Sequence, residues 1–151
     1  MASGGSDRRT YLLDTNVVLA YMRGGALGQH IEQTFGLRQL PYKPLLCVVS
    51  VGEALALARE WQWGRKRVDQ LRSLLRELVW IDISAPEILE AYAEVYQASK
   101  PKGRAIQQND LWIAATAKAI GATLLTTDRD FDHLADEHID LRWIDPDRRR
   151  S

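Results

Sequence analysis

Short apolar segments alternate with helical patterns along nearly the whole of this 151-residue chain. Amphipathic or alanine-rich stretches that predict helices separate these segments. Strands that alternate with helices form parallel sheets covered by helices on both faces, so the sequence predicts an α/β fold with a central parallel sheet of about five strands. The predicted strands lie at residues 11–13, 46–49, 78–83, 123–126 and 141–144.

The length and composition fit one globular domain, since 46% of the residues are hydrophobic and 26% are charged. We predict a flexible leader over residues 1–10, one domain over residues 11–145 and a basic tail over residues 146–151. No apolar stretch approaches the ~18 residues of a membrane-spanning helix, and the N-terminus lacks a hydrophobic signal core. We therefore expect no membrane association and a cytoplasmic location. The lone Cys47 lies in an apolar run and is expected to be buried and inert.

Opposite charges are concentrated in two separate parts of the chain, although the net charge is zero. Residues 59–76 contain six basic and two acidic residues, whereas residues 128–140 contain one basic and six acidic residues. An acidic focus and a basic stripe on one small domain suit a metal site beside a groove for a polyanion. Two solvated faces are the alternative explanation.

Four acids occupy related positions in the predicted fold. Asp14 follows the first strand, Glu53 lies in the first turn after the second strand, Asp110 opens the alanine-rich helix and Asp128 follows the strand at 123–126. In an open parallel sheet, ligands bind beyond the carboxyl ends of the strands, where the strand order reverses. If the strands that carry Asp14 and Asp128 are neighbours, the four carboxylates meet at that edge.

Each acid also has a purely structural explanation. Asp14 and Asp128 could cap the helices that follow them, Ser50 with Glu53 matches a capping box, and Asp110 suits the positive end of a helix. If all four acids served only these structural roles, it would remain unexplained why other predicted helix starts lack acids.

Convergence of the four acids predicts a divalent metal, because clustered carboxylates repel one another unless cations neutralise them. Oxygen ligands without His or Cys at ligand spacing favour Mg²⁺ or Mn²⁺ over zinc. We interpret His30, His133 and His138 as surface or capping groups. The sequence has no Gly-rich phosphate loop, no Gly-x-Ser-x-Gly elbow and no Cys/His pair, which argues against kinase-like, serine-hydrolase and thiol mechanisms.

Four segments carry a resemblance to a known family. In order and spacing they resemble the motifs of PIN-domain nucleases, with the VapC toxins of bacterial toxin–antitoxin pairs as the closest branch, over residues 11–144. The segments are LeuLeuAspThrAsnValValLeuAlaTyr (12–21), SerValGlyGluAlaLeu (50–55), AsnAspLeuTrpIleAlaAlaThrAla (109–117) and GlyAlaThrLeuLeuThrThrAspArgAspPheAspHisLeu (121–134).

The resemblance implies a PIN-like three-layer α/β/α sandwich in which four acids hold Mg²⁺ or Mn²⁺ for RNA cleavage. Asn16 and Thr127 match polar positions that support the acids in this family, and Asp130 is an accessory carboxylate. The positions that match the four acids are Asp14, Glu53, Asp110 and Asp128.

Basic and aromatic side chains outside the acids are candidates for RNA and partner contacts. Trp61 and Trp63 could stack on RNA bases or anchor a partner helix, and we favour an antitoxin contact. Trp80, Trp112 and Trp143 are expected in the core. The basic side chains that could hold the RNA backbone, with plain solvation as an equal alternative, are Arg65, Lys66, Arg67, Arg72, Lys100, Lys102 and Arg104.

The resemblance also implies a homodimer, with RNA (tRNA or rRNA) as substrate and a small VapB-like antitoxin that covers the acidic pocket. Three hypotheses remain open at this point: a VapC-type endoribonuclease toxin, a housekeeping PIN nuclease of RNA processing, and a non-catalytic binding module. The four intact acids argue against the third, and an adjacent gene for a small antitoxin would distinguish the first from the second.

Overall fold

A computed structural model describes residues 9–100 and 106–147 of the chain. Five strands form one parallel sheet in the order β3-β2-β1-β4-β5. Two short 3₁₀ helices cover Leu37–Gln39 and Arg129–Leu134. The strands and α-helices are β1 (Tyr11–Leu13), α1 (Thr15–Arg23), α2 (Ala26–Phe35), β2 (Leu45–Cys47), α3 (Val48–Glu60), α4 (Arg65–Arg76), β3 (Val79–Ile81), α5 (Pro86–Ser99), α6 (Gln108–Ile120), β4 (Thr123–Thr126) and β5 (Asp140–Trp143).

Alternating side chains of the central strands face two separate hydrophobic cores, because successive residues of a strand point to opposite faces. Leu12 and Leu124 pack against α5 and α6. Leu13 and Leu125 pack against the helices α1 to α4 on the other face. The result is a three-layer α/β/α sandwich, which confirms the predicted fold class.

Local sequence signals explain most of the boundaries. Gly24 and Gly121 end α1 and α6 in the left-handed conformation, with φ of 64° and 67°, as expected of glycine at a helix end. Pro86 is the first residue of α5, where its missing N–H costs no hydrogen bond. Among the described residues, no helix is long and apolar enough to cross a membrane.

Three predictions of local structure were wrong. The second strand ends at Cys47, so Val48 and Val49 begin α3 instead of extending the strand. Trp80 is 47% exposed, because β3 is an edge strand with a neighbour on one side only. Trp143, on the other edge strand, is half-buried instead of fully in the core.

Both termini and one internal segment lie outside the described residues. This applies to residues 1–8 of the predicted leader, to residues 148–151 of the predicted basic tail, and to residues 101–105. The predicted domain boundaries therefore stay predictions.

Candidate metal centre

The strands that carry Asp14 and Asp128 are neighbours in the sheet. Strands β1 and β4 pair in parallel with Leu13 opposite Leu125, and the Asp14 N–H donates to the Leu125 carbonyl at 2.9 Å. Both acids therefore follow the carboxyl ends of adjacent strands, at the edge where a parallel sheet binds ligands.

Two hydrogen bonds hold the Asp14 carboxylate in a fixed orientation. Oδ1 accepts from the Thr15 N–H at 2.8 Å, and Oδ2 accepts from the Thr126 hydroxyl at 2.7 Å. Burial, with a smaller contribution from the nearby Glu53 and Asp128 carboxylates, raises the pKa of Asp14 to about 6, despite the opposing effect of these hydrogen bonds. A buried carboxylate with both oxygens oriented is suited to binding a cation.

The hydroxyl of Thr126 connects the two strand-end acids. It donates to Asp14 and accepts from the Asp128 backbone N–H at 2.9 Å. Thr126 is fully buried, so this bridge is shielded from competing water.

Helix α3 contributes Glu53 to the same edge. The Thr15 hydroxyl donates to Glu53 Oε1 at 2.6 Å. Thr15 follows Asp14 directly and is buried, so its N–H and hydroxyl orient two of the four acids.

Three further carboxylates come within reach of one ion. One oxygen each from Asp110, Asp128 and Asp130 can be chosen so that all three lie within 4.8 Å of one another. Oxygens that surround one Mg²⁺ at 2.0–2.1 Å are about 3–4 Å apart. The three side chains are half-buried, which leaves room for water or substrate at the ion.

Among the described carboxyl groups, Asp110 has the largest shift in pKa. Burial is the largest cause that raises its pKa to about 7, followed by the carboxylates of Asp14, Asp128, Glu53 and Asp130, in that order. The five acids therefore form one electrostatically coupled cluster. The cluster offers carboxylate oxygen only, so its donor set fits Mg²⁺ or Mn²⁺.

The structural explanations hold for Asp14, for Asp128 and for Asp110, which lies in the first turn of α6, and fail for Glu53. Asp14 accepts from the first N–H of α1, and Asp128 accepts from the Asp130 N–H at 2.9 Å. The Ser50–Glu53 capping box does not form, because α3 begins at Val48 and places Ser50 inside its first turn. The buried Ser50 hydroxyl has no hydrogen-bond partner within the described part of the chain.

The polar residues predicted to support the acids are not the ones that contact them. Asn16 is exposed and Thr127 is half-buried, and neither side chain forms a hydrogen bond within residues 9–100 and 106–147. Their supporting role stays a prediction. The contacts come from Thr15 and Thr126, whose sequence signal is a hydroxyl residue directly after an acid or two positions before one at a strand end.

The five predicted RNA-contacting residues that the structure describes are exposed. Helix α4 begins beyond the end of α3 that is farther from Glu53. Lys100 is also exposed and lies 5.9 Å from the Tyr96 ring centroid, and Lys102 and Arg104 fall outside the described residues. The predicted residues that are exposed on α4 are Arg65, Lys66, Arg67 and Arg72.

The two tryptophans at the end of α3 form a surface pair. Their ring centroids are 5.7 Å apart, and Trp61 is 39% exposed. Arg23 lies 4.8 Å from the Trp61 ring and Arg67 lies 4.7 Å from the Trp63 ring. The pair is therefore an aromatic surface flanked by cations.

The acid cluster predicts an unusual pH dependence of stability in the metal-free protein. Lowering the pH from about 8 to about 5 is expected to raise its Tm, because groups whose pKa is higher in the folded state bind protons more tightly there. The pKa values of Asp14 and Asp110 are raised from 3.8 to about 6 and about 7. Thermal unfolding in EDTA would measure this effect. Asp110→Asn should show a smaller rise in Tm over this pH range. An equal change of Tm with pH in the wild type and in Asp110→Asn would contradict the prediction.

Comparison with known proteins identifies relatives over most of the chain. A family model described as the PIN domain matches residues 11–137. The chain is similar to Ribonuclease VapC1 of Haemophilus influenzae (strain R2866), with 28% identity over 141 residues that cover 89% of this chain and 96% of that protein.

Solved structures share the fold. The chain is similar to the crystal structure of VapBC2 from Rickettsia felis bound to a DNA fragment from their promoter, with a TM-score of 0.73 and 22% identity over 88% of this chain and 97% of that chain. It is also similar to the structure of VapBC-1 from nontypeable Haemophilus influenzae, with a TM-score of 0.68 and 23% identity over 89% of this chain and 97% of that chain.

Proposed function

This chain belongs to the PIN domain family, and we propose that it is a Mg²⁺- or Mn²⁺-dependent endoribonuclease, the toxin of a VapBC-type toxin–antitoxin pair. The observation that carries this proposal is the convergence of Asp14, Glu53, Asp110, Asp128 and Asp130 at one sheet edge. A protein that did not bind cations there would gain nothing from placing five carboxylates together, since their repulsion destabilises the fold.

The chain's own residues divide into ligands and orienting groups. Asp110, Asp128 and Asp130 would hold an ion directly, and the hydrogen-bonded Asp14 and Glu53 would complete its surroundings. When bound, the ion activates water and stabilises charge on the attacked phosphate and the leaving oxygen. Thr15 and Thr126 orient the carboxylates before substrate arrives, so little reorganisation is needed during the reaction.

Exposed cations would hold the RNA outside the acid cluster. Arg65 and Lys66 line an open groove of about 910 Å³ that also includes Arg38. Phosphates bind such cations without regard to base sequence. We propose that these residues, with Arg67, Arg72, Lys100, Lys102 and Arg104, position an RNA strand whose sequence or shape is read elsewhere.

The relatives favour a toxin over a housekeeping nuclease. One relative is named a VapC ribonuclease, and the solved neighbours are VapBC structures. The similarity covers more than 85% of both chains in these comparisons. A cytoplasmic location agrees with this proposal and stays a prediction.

Incubation of the purified protein with total RNA and Mn²⁺, followed by mapping of the cut ends, tests the proposed activity. Discrete new ends that are absent with Asp110→Asn would support it. Intact RNA in every tested divalent metal would contradict it and would favour a binding module.

The proposed partner is an antitoxin segment that contacts Trp61 or Trp63 and places an Arg or Lys among the carboxylates. Trp61 directly follows the last residue of α3 and lies eight residues after Glu53. This spacing is about 12 Å along the helix axis, a distance that a short helix or arm can span. Such a cation would replace the charge of the metal ion, so binding of the antitoxin is expected to inhibit the nuclease directly.

Co-expression with the neighbouring gene product is expected to yield a complex without nuclease activity. Trp61→Ala should weaken this complex by about 30-fold, as expected of an aromatic anchor. Trp80→Ala is the matched control, because Trp80 is similarly exposed but lies on the edge strand β3. Equal effects of the two substitutions would contradict the assigned contact.

We also propose that the protein forms a symmetric homodimer. Light scattering would test this by measuring the molar mass in solution. A chain that stays monomeric, grows harmlessly when overexpressed alone and captures no small partner would favour the housekeeping hypothesis.

A further inference from the structure

A single cation is built into the turn that carries two of the metal-site acids. Arg129 stands between Asp128 and Asp130 in the chain, and its guanidinium carbon lies 3.6 Å from the ring centroid of Trp143. Its side chain is 61% exposed. Because both sequence neighbours belong to the acid cluster, the guanidinium lies within one side-chain length of the backbone that positions them.

Trp143 is itself attached to this turn. Its indole N–H donates to the Thr127 carbonyl at 3.1 Å, and Trp143 pairs with Thr126 in the register of β4 and β5. The half-buried ring therefore cannot move independently of the backbone at Thr126 and Thr127. A guanidinium stacked on this ring has a restricted orientation and keeps most of its N–H donors available.

The remaining contact of Arg129 is weak and replaceable. One guanidinium nitrogen lies 3.2 Å from Asp132 Oδ2, in an ion pair whose two side chains are 61% and 46% exposed. Exposed pairs of this kind contribute little to stability. A phosphate can accept two parallel hydrogen bonds from the same fork, so it competes well with the single Asp132 contact.

We propose that Arg129 is a phosphate-binding residue that holds the RNA backbone beside the metal centre, with Trp143 as its support. This inference rests on the proposed RNA cleavage. It adds a cation in the same turn as Asp128 and Asp130, whereas the basic residues of α4 lie on a different element. A cation in this turn would offset the like charge that an RNA strand meets as it approaches the cluster.

Arg129→Gln tests the inference in two measurements. In the cleavage assay it should raise KM about tenfold with little change in kcat, because a contact made equally in ground and transition states affects binding only. In the non-cleaving Asp110→Asn background, a fluorescent single-stranded RNA should bind about tenfold more weakly, and the slope of log affinity against log salt should fall by about 0.7. Arg129→Lys should retain the slope, because it retains the charge.

Arg142→Gln is the matched control for lost charge. Arg142 is an exposed arginine directly before Trp143 on β5, and alternation along the strand directs it to the opposite face. It should leave KM, binding and the salt slope unchanged. Thermal unfolding of both variants separates a binding defect from a folding defect.

Asp132→Asn should have the opposite effect, because it removes the competitor for the guanidinium. We expect tighter RNA binding than in the wild type, whereas Asp136→Asn, which removes an exposed carboxylate near the start of β5, should change nothing. If the wild type cleaves RNA but Arg129→Gln and Arg142→Gln have equal KM values and equal salt slopes, the role of Arg129 is overturned and the proposed function is not. A wild type that neither binds nor cleaves RNA would overturn the proposed function and this inference together.

Discussion

Replacing Asp110 with Asn is expected to reduce RNA cleavage by at least about a hundredfold, since even supporting residues of metal sites cost 10–100-fold when removed. Asp110 offers an oxygen to the group with Asp128 and Asp130 and is the acid most strongly affected by the other four. Asn keeps the shape of the side chain but loses the negative charge that attracts the ion. Cleavage of a defined RNA under single-turnover conditions would measure the loss.

The same substitution is expected to stabilise the metal-free protein at pH 8. Burial is the main reason for the raised pKa of Asp110, so the neutral amide avoids both the cost of a buried charge and repulsion from the other acids. After allowance for solvent screening, the gain is about 1 kcal/mol, or a few degrees in Tm.

Asp136→Asn is the matched control for Asp110→Asn. Asp136 has a φ of 71°, a conformation that Asn tolerates well, and it lines a surface pocket with Gly121 and Asp140 near the amino ends of β4 and β5. It should retain full activity. If Asp110→Asn also retains activity and loses stability, Asp110 serves only the helix dipole of α6 and the assigned site is wrong.

Removal of divalent metal is expected to abolish cleavage completely. The cluster contains carboxylates and supporting hydroxyls, without a described histidine or cysteine in contact that could act as nucleophile or general base. EDTA should therefore stop the reaction, and Mg²⁺ or Mn²⁺ should restore it. Ca²⁺ should bind but support little turnover, because its looser coordination positions water poorly.

Thermal stability provides a measure of metal binding that does not depend on activity. At 100 times its dissociation constant, a bound ion stabilises the folded state by about 2.7 kcal/mol. We expect Mg²⁺ to raise the Tm of the wild type and of Asp136→Asn, and to raise that of Asp110→Asn much less. Cleavage that survives exhaustive chelation would instead indicate a metal-free ribonuclease.

Local patterns in the sequence determined the type of most elements. The glycines at positions 24 and 121, the proline at position 86 and the apolar period of α4 act within a few residues, so their effects can be predicted without knowledge of the fold. The alternation of strands and helices likewise determined a parallel sheet with three layers.

Strand order and burial were decided by the tertiary structure. Asp14 and Asp128 meet because β1 and β4 are neighbours, although more than a hundred residues separate them in the chain. From the sequence, Asp14 and Asp128 were expected to meet only if the two strands that carry them were neighbours. The pKa of Asp110 is raised by burial and by the carboxylates of Asp14, Asp128, Glu53 and Asp130. These groups come from distant parts of the chain, so the shift depends on the tertiary structure.

The orienting contacts also required the three-dimensional fold. The hydroxyls of Thr15 and Thr126 could not be distinguished in advance from those of other polar residues near strand ends, because a hydrogen bond over 38 or 112 positions leaves no local pattern. The stacking of Arg129 on Trp143 depends in the same way on the pairing of β4 with β5. Residue type and short-range periodicity therefore determined the elements and the candidate acids, whereas the packing of distant segments decided which side chains orient them.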